Sequence, residues 1–83
     1  MADVKVTYDQ VANAAYIYFT DPGARVSVAR MYACDPVEVG GMINLDFDSQ
    51  GLLAGIEVLG ASAKLPQYLL DMAEPIEVEH FPE

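Results

Sequence analysis

From residue 42 onward the chain alternates, with Ile43, Leu45 and Phe47 on one side and Asn44, Asp46 and Asp48 on the other. Successive side chains of a strand point to opposite faces, so this is the period of a strand buried on one side only. Residues 52–59 resume the pattern, with Ala54, Ile56 and Val58 together and Glu57 opposed. Between the two runs stands Asp48-Ser49-Gln50-Gly51. Asp first and Gly fourth is the pattern of a type I turn closed by a left-handed glycine, so the stretch is predicted to be a β-hairpin. It also fits the calcium-loop template D-x-[DN]-x-[DN]-G-x5-E at Asp46, Asp48, Gly51 and Glu57, with Gln50 as the one substitution. A calcium loop needs a helix on each side, and Pro36, Gly40 and Gly41 would break the entering one. The hairpin is the reading the context favours.

Residues 3–8 alternate as well, Val4, Val6 and Tyr8 against Asp3, Lys5 and Thr7. Asp9 then opens a turn, its carboxylate placed to accept a backbone N–H two residues on. Residues 14–19, AAYIYF, put Ile17 and Phe19 on one face and Tyr16 and Tyr18 on the other. Large side chains on both sides mark a central or sandwiched strand. Thr20-Asp21-Pro22-Gly23 is a turn. Residues 25–33 follow as a third strand with Val26 and Val28 inward, and Arg30 falls where another apolar residue belongs, so a bulge or an edge is expected near Ala29. Residues 35–41, with Pro36 and Gly40-Gly41, read as an irregular loop.

Gly60, Ala61 and Ser62 end the sheet, Ser62 as a local cap whose hydroxyl satisfies a backbone N–H. Pro66 suits the first position of a helix and Pro75 stops it from beyond its end. Leu65, Leu69, Met72 and Ala73 form its stripe toward the sheet, with Leu70 off that stripe. In the tail, residues 75–83, Ile76 and Val78 alternate with Glu77 and Glu79, the pattern of a sixth strand, a strand lent to a partner, or a flexible end. The expectation is a single domain over residues 1–83 of the α+β class: a small, mainly antiparallel β-meander of about five strands with one short C-terminal helix packed on one face.

Composition limits what such a domain does. A chain of 83 residues removes only about 60% of its unfolded surface from water, so its core is thin. Yet 53% of the residues are hydrophobic and 20% charged, against about 25% charged in an average soluble domain, an excess of apolar surface that points to self-association. Four Lys/Arg face thirteen Asp/Glu, a net charge of -9. Nucleic acid is a poor partner, because phosphate binding needs clustered cations and Lys5, Arg25, Arg30 and Lys64 are scattered. A basic protein partner fits the charge. No uncharged apolar run reaches the length of a membrane span. Cys34 is the one cysteine, so no internal disulfide forms. MADVKVTYD is charged where a signal peptide is apolar, and the expected location is the cytoplasm.

Three motifs in order, Tyr8, Asp9, Ala12, Ala14, Tyr16 and Ile17, then Asp46, Asp48 and Gly51, then Gly55, Ile56, Glu57, Ala61 and Ser62, match the pattern YD-x-x-AD-A-x-YI, D-x-D-x-x-G and GIEIL-AS. The chain resembles, over roughly residues 4–74, the small bacterial family catalogued as domain of unknown function 2283. The resemblance implies a compact β-rich domain with one short helix, and a D-x-D-x-x-G turn that belongs to hairpin architecture. It carries over no catalytic residue, because the family has none assigned. Asn13 stands where the family usually has Asp, which lowers the expectation of a metal at the first turn.

The outward face of the hairpin offers Asn44, Asp46 and Glu57 as oxygen ligands for a hard cation, set against a solvated acidic face that keeps a one-sided sheet soluble. Two carboxylates across strands could in principle do acid–base work on a glycoside, but a shallow sheet surface gives no pocket to tune them. Cys34, His80 and Ser62 lack the oriented third member of a nucleophilic site. No cofactor, metal or catalytic residue is assigned, and an enzyme is the less favoured reading. Tyr16 and Tyr18 are the harder pair to leave in water, since each ring buries about 150–250 Å² when covered and carries a hydroxyl that needs a partner. The candidate interface or ligand residues are therefore Tyr16, Tyr18, Asn44, Asp46 and Glu57. The function expected is a non-catalytic, oligomerising interaction module, a homodimer with an acidic surface; the alternative is a small-ligand or divalent-cation binder on the Tyr16/Asp46 face.

Overall fold

The computed structural model describes residues 4–19 and 27–76. The hairpin lies on one side of its sheet. Strands β1 (Lys5–Asp9), β2 (Ala14–Tyr18), β3 (Arg30–Ala33), β4 (Met42–Phe47), β5 (Leu53–Leu59) and β6 (Glu74–Pro75) form a six-stranded sheet in the order β3-β4-β5-β2-β1-β6. Helices α1 (Pro36–Val39), α2 (Ala61–Lys64) and α3 (Gln67–Met72) are short. Two expectations are corrected here. The sheet is mixed and has six strands, because β6 joins β1 in parallel while every other pair is antiparallel. And three short helices replace the single C-terminal one.

The turn of the hairpin follows from its residues. Gly51 has φ 83 and donates its N–H to the Asp48 carbonyl at 3.0 Å. Asp48 Oδ1 accepts from the backbone N–H groups of Gln50 and Leu52, each at 2.9 Å. The carboxylate that a calcium loop would aim at an ion is spent on the turn. Past the turn, Phe47 stands opposite Leu53 and Asp46 opposite Gly55, so Ala54 is an extra residue that bends the strand. At the first turn, Asp9 Oδ1 accepts from Val11 and Ala12 at 3.0 and 3.1 Å.

The helices depart from the expected plan for local reasons. Asp35 and Pro36 make a helix start where a loop was read: Asp35 Oδ1 accepts the Val37 N–H at 2.9 Å, and Gly40, at φ 68, ends the turn. Lys64 donates to the Val39 carbonyl at 2.9 Å. Further on, Leu65 precedes a proline and is therefore held extended, at φ -107 and ψ 149. That break separates α2 from α3 and places Pro66 at the N-cap, one position before its expected place. Because Leu65 is off α3, its spacing to Leu69 does not set the phase of that helix. Leu65, Leu69 and Ala73 are half-buried, as the expected stripe requires, but its other member Met72 is 75% exposed while Leu70, read as off the stripe, is 8% exposed. Ser62 is corrected too: its backbone N–H is taken by Asn13 Oδ1 at 3.0 Å, and its hydroxyl accepts from Asn13 Nδ2 at 3.0 Å.

Arg30–Ala33 is shorter than the predicted strand of residues 25–33, and Val28 is exposed. Ala29 N–H reaches the Phe47 carbonyl at 2.8 Å although Arg30 is the register partner of Phe47. Two residues thus address one, a bulge at the sheet edge. Arg25, Val26 and the Thr20–Gly23 turn lie outside the described residues. So do residues 77–83 of the tail; Ile76 donates to the Tyr8 carbonyl at 3.0 Å.

Cross-strand partners share a face, so the register sorts the sheet. Val6, Tyr8, Ala15, Ile17, Ile43, Leu45, Ile56 and Val58 fall on one face. Helices α2 and α3 cover that face in part, and the core is Ala15, Val58, Ala61 and Leu70 with Tyr8, Ile43, Ile56 and Leu65 against it. Lys5, Thr7, Tyr16, Tyr18, Asn44, Asp46, Gly55 and Glu57 form the opposite face, which none of these helices covers.

Candidate functional site

That opposite face is built around Tyr16. Gly55, on the neighbouring strand, is the register partner of both Tyr18 and Asp46. A Cβ at Gly55 would lie 2.4 Å from the Tyr16 ring, so only glycine lets that ring lie flat across β5. Having crossed it, the Tyr16 hydroxyl donates to Asp46 Oδ2 at 2.5 Å. Burial pushes the phenol pKa well above its usual value of 10.0, and the hydrogen bond and charge of Asp46 push it further the same way. Beside it, Asn44 is buried and donates its amide to Glu57 Oε1 at 3.0 Å.

Tyr18 packs on Tyr16 with ring centroids 4.5 Å apart at 52°. Lys5 Nζ stands 5.5 Å from the Tyr18 ring centroid, within cation–π range, and 3.5 Å from Glu74 Oε1. All five candidates, Tyr16, Tyr18, Asn44, Asp46 and Glu57, therefore share one face, and four of them are tied in two donor–acceptor pairs. Two residues of this face were not singled out from the sequence. Thr7, opposite Tyr16, is 5% exposed, and its Oγ1 has no hydrogen-bond partner among the described residues. Asp9 ends the same strand. With Tyr16, Tyr18, Glu57 and Ile76 they line an open cleft of about 200 Å³. Period-2 alternation put Thr7 on the outward face; it carries no signal of how deeply the residue is buried there.

Elsewhere the chemistry-bearing side chains are kept apart or occupied. Cys34 ends the β3 edge with its N–H on the Ile43 carbonyl at 2.9 Å, Ser62 is held by Asn13, and His80 lies outside the described residues. Arg30 rests 4.8 Å from the Phe47 ring centroid. Among the described residues no three His, Cys, Asp or Glu groups gather as a metal site would require, and no helix is long and apolar enough to cross a membrane.

A comparison with curated proteins finds no match, and a comparison with solved structures finds none. A family model does match, over residues 5–62, the span from β1 through the Asn13–Ser62 clasp. That is most of the chain and takes in all five strands around the Tyr16 face; the chain belongs to the family described as Protein of unknown function (DUF2283).

Proposed function

We propose that this chain is a non-catalytic interaction module that pairs with a second copy of itself along the open edge of β3 and keeps an acidic surface for a basic protein partner. The observation that carries the reading is the exposure of β3 at all four of its positions, Met31 and Tyr32 at 55% each. The Cys34–Ile43 bond sets the alternation of the ladder: Arg30 and Tyr32 bond inward to β4, and the N–H and C=O groups of Met31 and Ala33 point outward. Among the described residues nothing pairs with them. Exposed Val28 and Met42 extend the apolar strip.

Charge favours a second copy as the occupant. Between Asp21 and Asp35 there is no carboxylate, so two chains of net charge -9 meet where neither is acidic, with Arg30 set down on its own Phe47. Antiparallel pairing of β3 with β3 is self-complementary, as a two-fold interface must be. The support falls on this edge and not on Tyr16 and Tyr18, whose rings already cover one another. Two four-residue strands with their flanking side chains make a small interface, for which dissociation near about 10 µM is expected.

Sedimentation equilibrium tests this. The native chain is expected to shift from monomer toward dimer with rising concentration, and Met31→Lys and Ala33→Pro are expected to remain monomeric. Ala33→Pro deletes only an outward N–H, so it leaves the β4 ladder intact. A native chain that stays monomeric at high concentration, or variants that dimerise as before, would remove the edge from consideration.

A further inference from the structure

We infer that the open cleft over β1 and β2 is a binding site for a primary alkylammonium group, formed by the Tyr16 and Tyr18 rings, the Glu57 and Asp9 carboxylates and the Thr7 hydroxyl, which has no partner among the described residues. The site is separate from the β3 edge and does not depend on pairing there.

Its chemistry is one-sided. The cleft holds about 200 Å³, room for a chain of a few carbons ending in one polar group. Among the described residues each carboxylate has one oxygen engaged and one spare: Glu57 Oε1 accepts from Asn44, and Asp9 Oδ1 accepts from Val11 and Ala12. The tilted tyrosine pair presents aromatic surface, whose faces are negative. Thr7 is more than nine-tenths buried on this face, lines the cleft, and its Oγ1 has no partner among the described residues. A buried hydroxyl without a partner is destabilising, and native structures leave few such groups without a reason. An ammonium supplies three donors and no acceptor, the complement of two spare carboxylate oxygens, a hydroxyl and two rings.

The molecule already shows part of this recognition. Lys5 holds its own ammonium 5.5 Å from the Tyr18 ring centroid at the rim, while its carboxylate partner is Glu74 rather than a residue of the cleft. A hard divalent cation is the poorer occupant, because calcium and magnesium take six or more oxygen ligands and much of this lining is aromatic. A phosphate or carboxylate ligand would face two like charges. At net charge -9, the field of the whole chain also draws cations inward.

The probes are 1,4-diaminobutane, for a free amine, and Nα-acetyl-lysinamide, for a lysine side chain, with 1-butanol as the neutral match of similar length. The readout is the NMR shift of the Thr7 methyl and of the Tyr16 and Tyr18 ring signals on the full chain. Saturable shifts are expected with at least one amine at about 1 mM, as suits so small a ligand, and none with 1-butanol. The amine that binds identifies the source of the ammonium. Glu57→Gln keeps the oxygen that Asn44 bonds, and Thr7→Val keeps the shape of the side chain; each is expected to weaken the amine about tenfold. Lys5→Met, which clears the Tyr18 rim, is expected to tighten it about threefold.

No saturable shift up to tens of millimolar, an equal response to 1-butanol, or unchanged affinity in both Glu57→Gln and Thr7→Val would overturn the assignment. Repeating the titration in Met31→Lys separates it from edge pairing: amine binding there is expected to match the native chain whatever that variant's association state.

Discussion

Tyr16 does three jobs that a single aromatic side chain rarely combines. Its ring replaces the side chain Gly55 lacks, its edge supports Tyr18, and its hydroxyl neutralises nothing but satisfies Asp46 at 2.5 Å. The bond exists only while the phenol keeps its proton, and the sign of the pH effect follows. The folded pKa is raised above the unfolded value of about 10, so the stabilisation is complete below pH 10 and is lost as pH climbs from there toward the folded value. Absorbance titration of the five tyrosines is expected to show one that ionises late, together with loss of fold. Tyr16→Phe is expected to remove that late step and cost about 1–2 kcal/mol, the value of a part-buried hydrogen bond to a carboxylate. A titration in which all five ionise together would contradict the geometry. Alternation alone set Tyr16, Tyr18, Asn44, Asp46 and Glu57 on one face, because register makes partners share a side. The Tyr16–Asp46 pair was not legible, since it depends on a diagonal reach over one glycine three strands later in sequence order.

At the scale of elements, the strands were readable and the helices only in part. Residues 42–59 form the hairpin their alternation requires, and Ile17 stands opposite Tyr16 and Tyr18 as the period demands. Periodicity survives in strands because each residue's direction depends only on its neighbours. Helical phase depends on where the helix begins, and Leu65, pinned extended by Pro66, shifts that start. The consequence is testable in denaturant. Leu70→Ala, at the contact of α3 with Ala15 and Val58, is expected to cost about 2–3 kcal/mol. Met72→Ala is expected to change stability by no more than about 0.5 kcal/mol, although Met72 and not Leu70 belongs to the stripe drawn from spacing. Equal costs, measured by urea unfolding, would mean that α3 packs in the other phase.

The whole molecule combines a core without a large fully buried side chain among the described residues with a net charge of -9. The cations among the described residues are placed one by one: Lys5 on Tyr18 and Glu74, Arg30 on Phe47, and Lys64 on the end of α1. None of these arrangements gathers positive charge for a polyanion, and each sets a cation on an aromatic ring or a carbonyl. Thirteen carboxylates therefore repel one another with little internal compensation, and repulsion over a surface this small is what dissolved salt screens, with a Debye length of about 10 Å at 0.1 M. The opposing effect is the weakening of attractive pairs. Among the described residues that is Lys5–Glu74, half-exposed and worth about 0–1 kcal/mol. Repulsion wins, and the urea midpoint is expected to rise when sodium chloride is increased from about 20 mM to about 300 mM. The measurement belongs in Met31→Lys at low concentration, so that salt-driven association adds nothing to the midpoint. Sodium chloride also suits the purpose better than a sulfate, which strengthens apolar burial by exclusion from the surface. A midpoint that falls with salt would mean that attractive pairing outweighs repulsion, and that the acidic surface available to a basic partner is smaller than its charge implies.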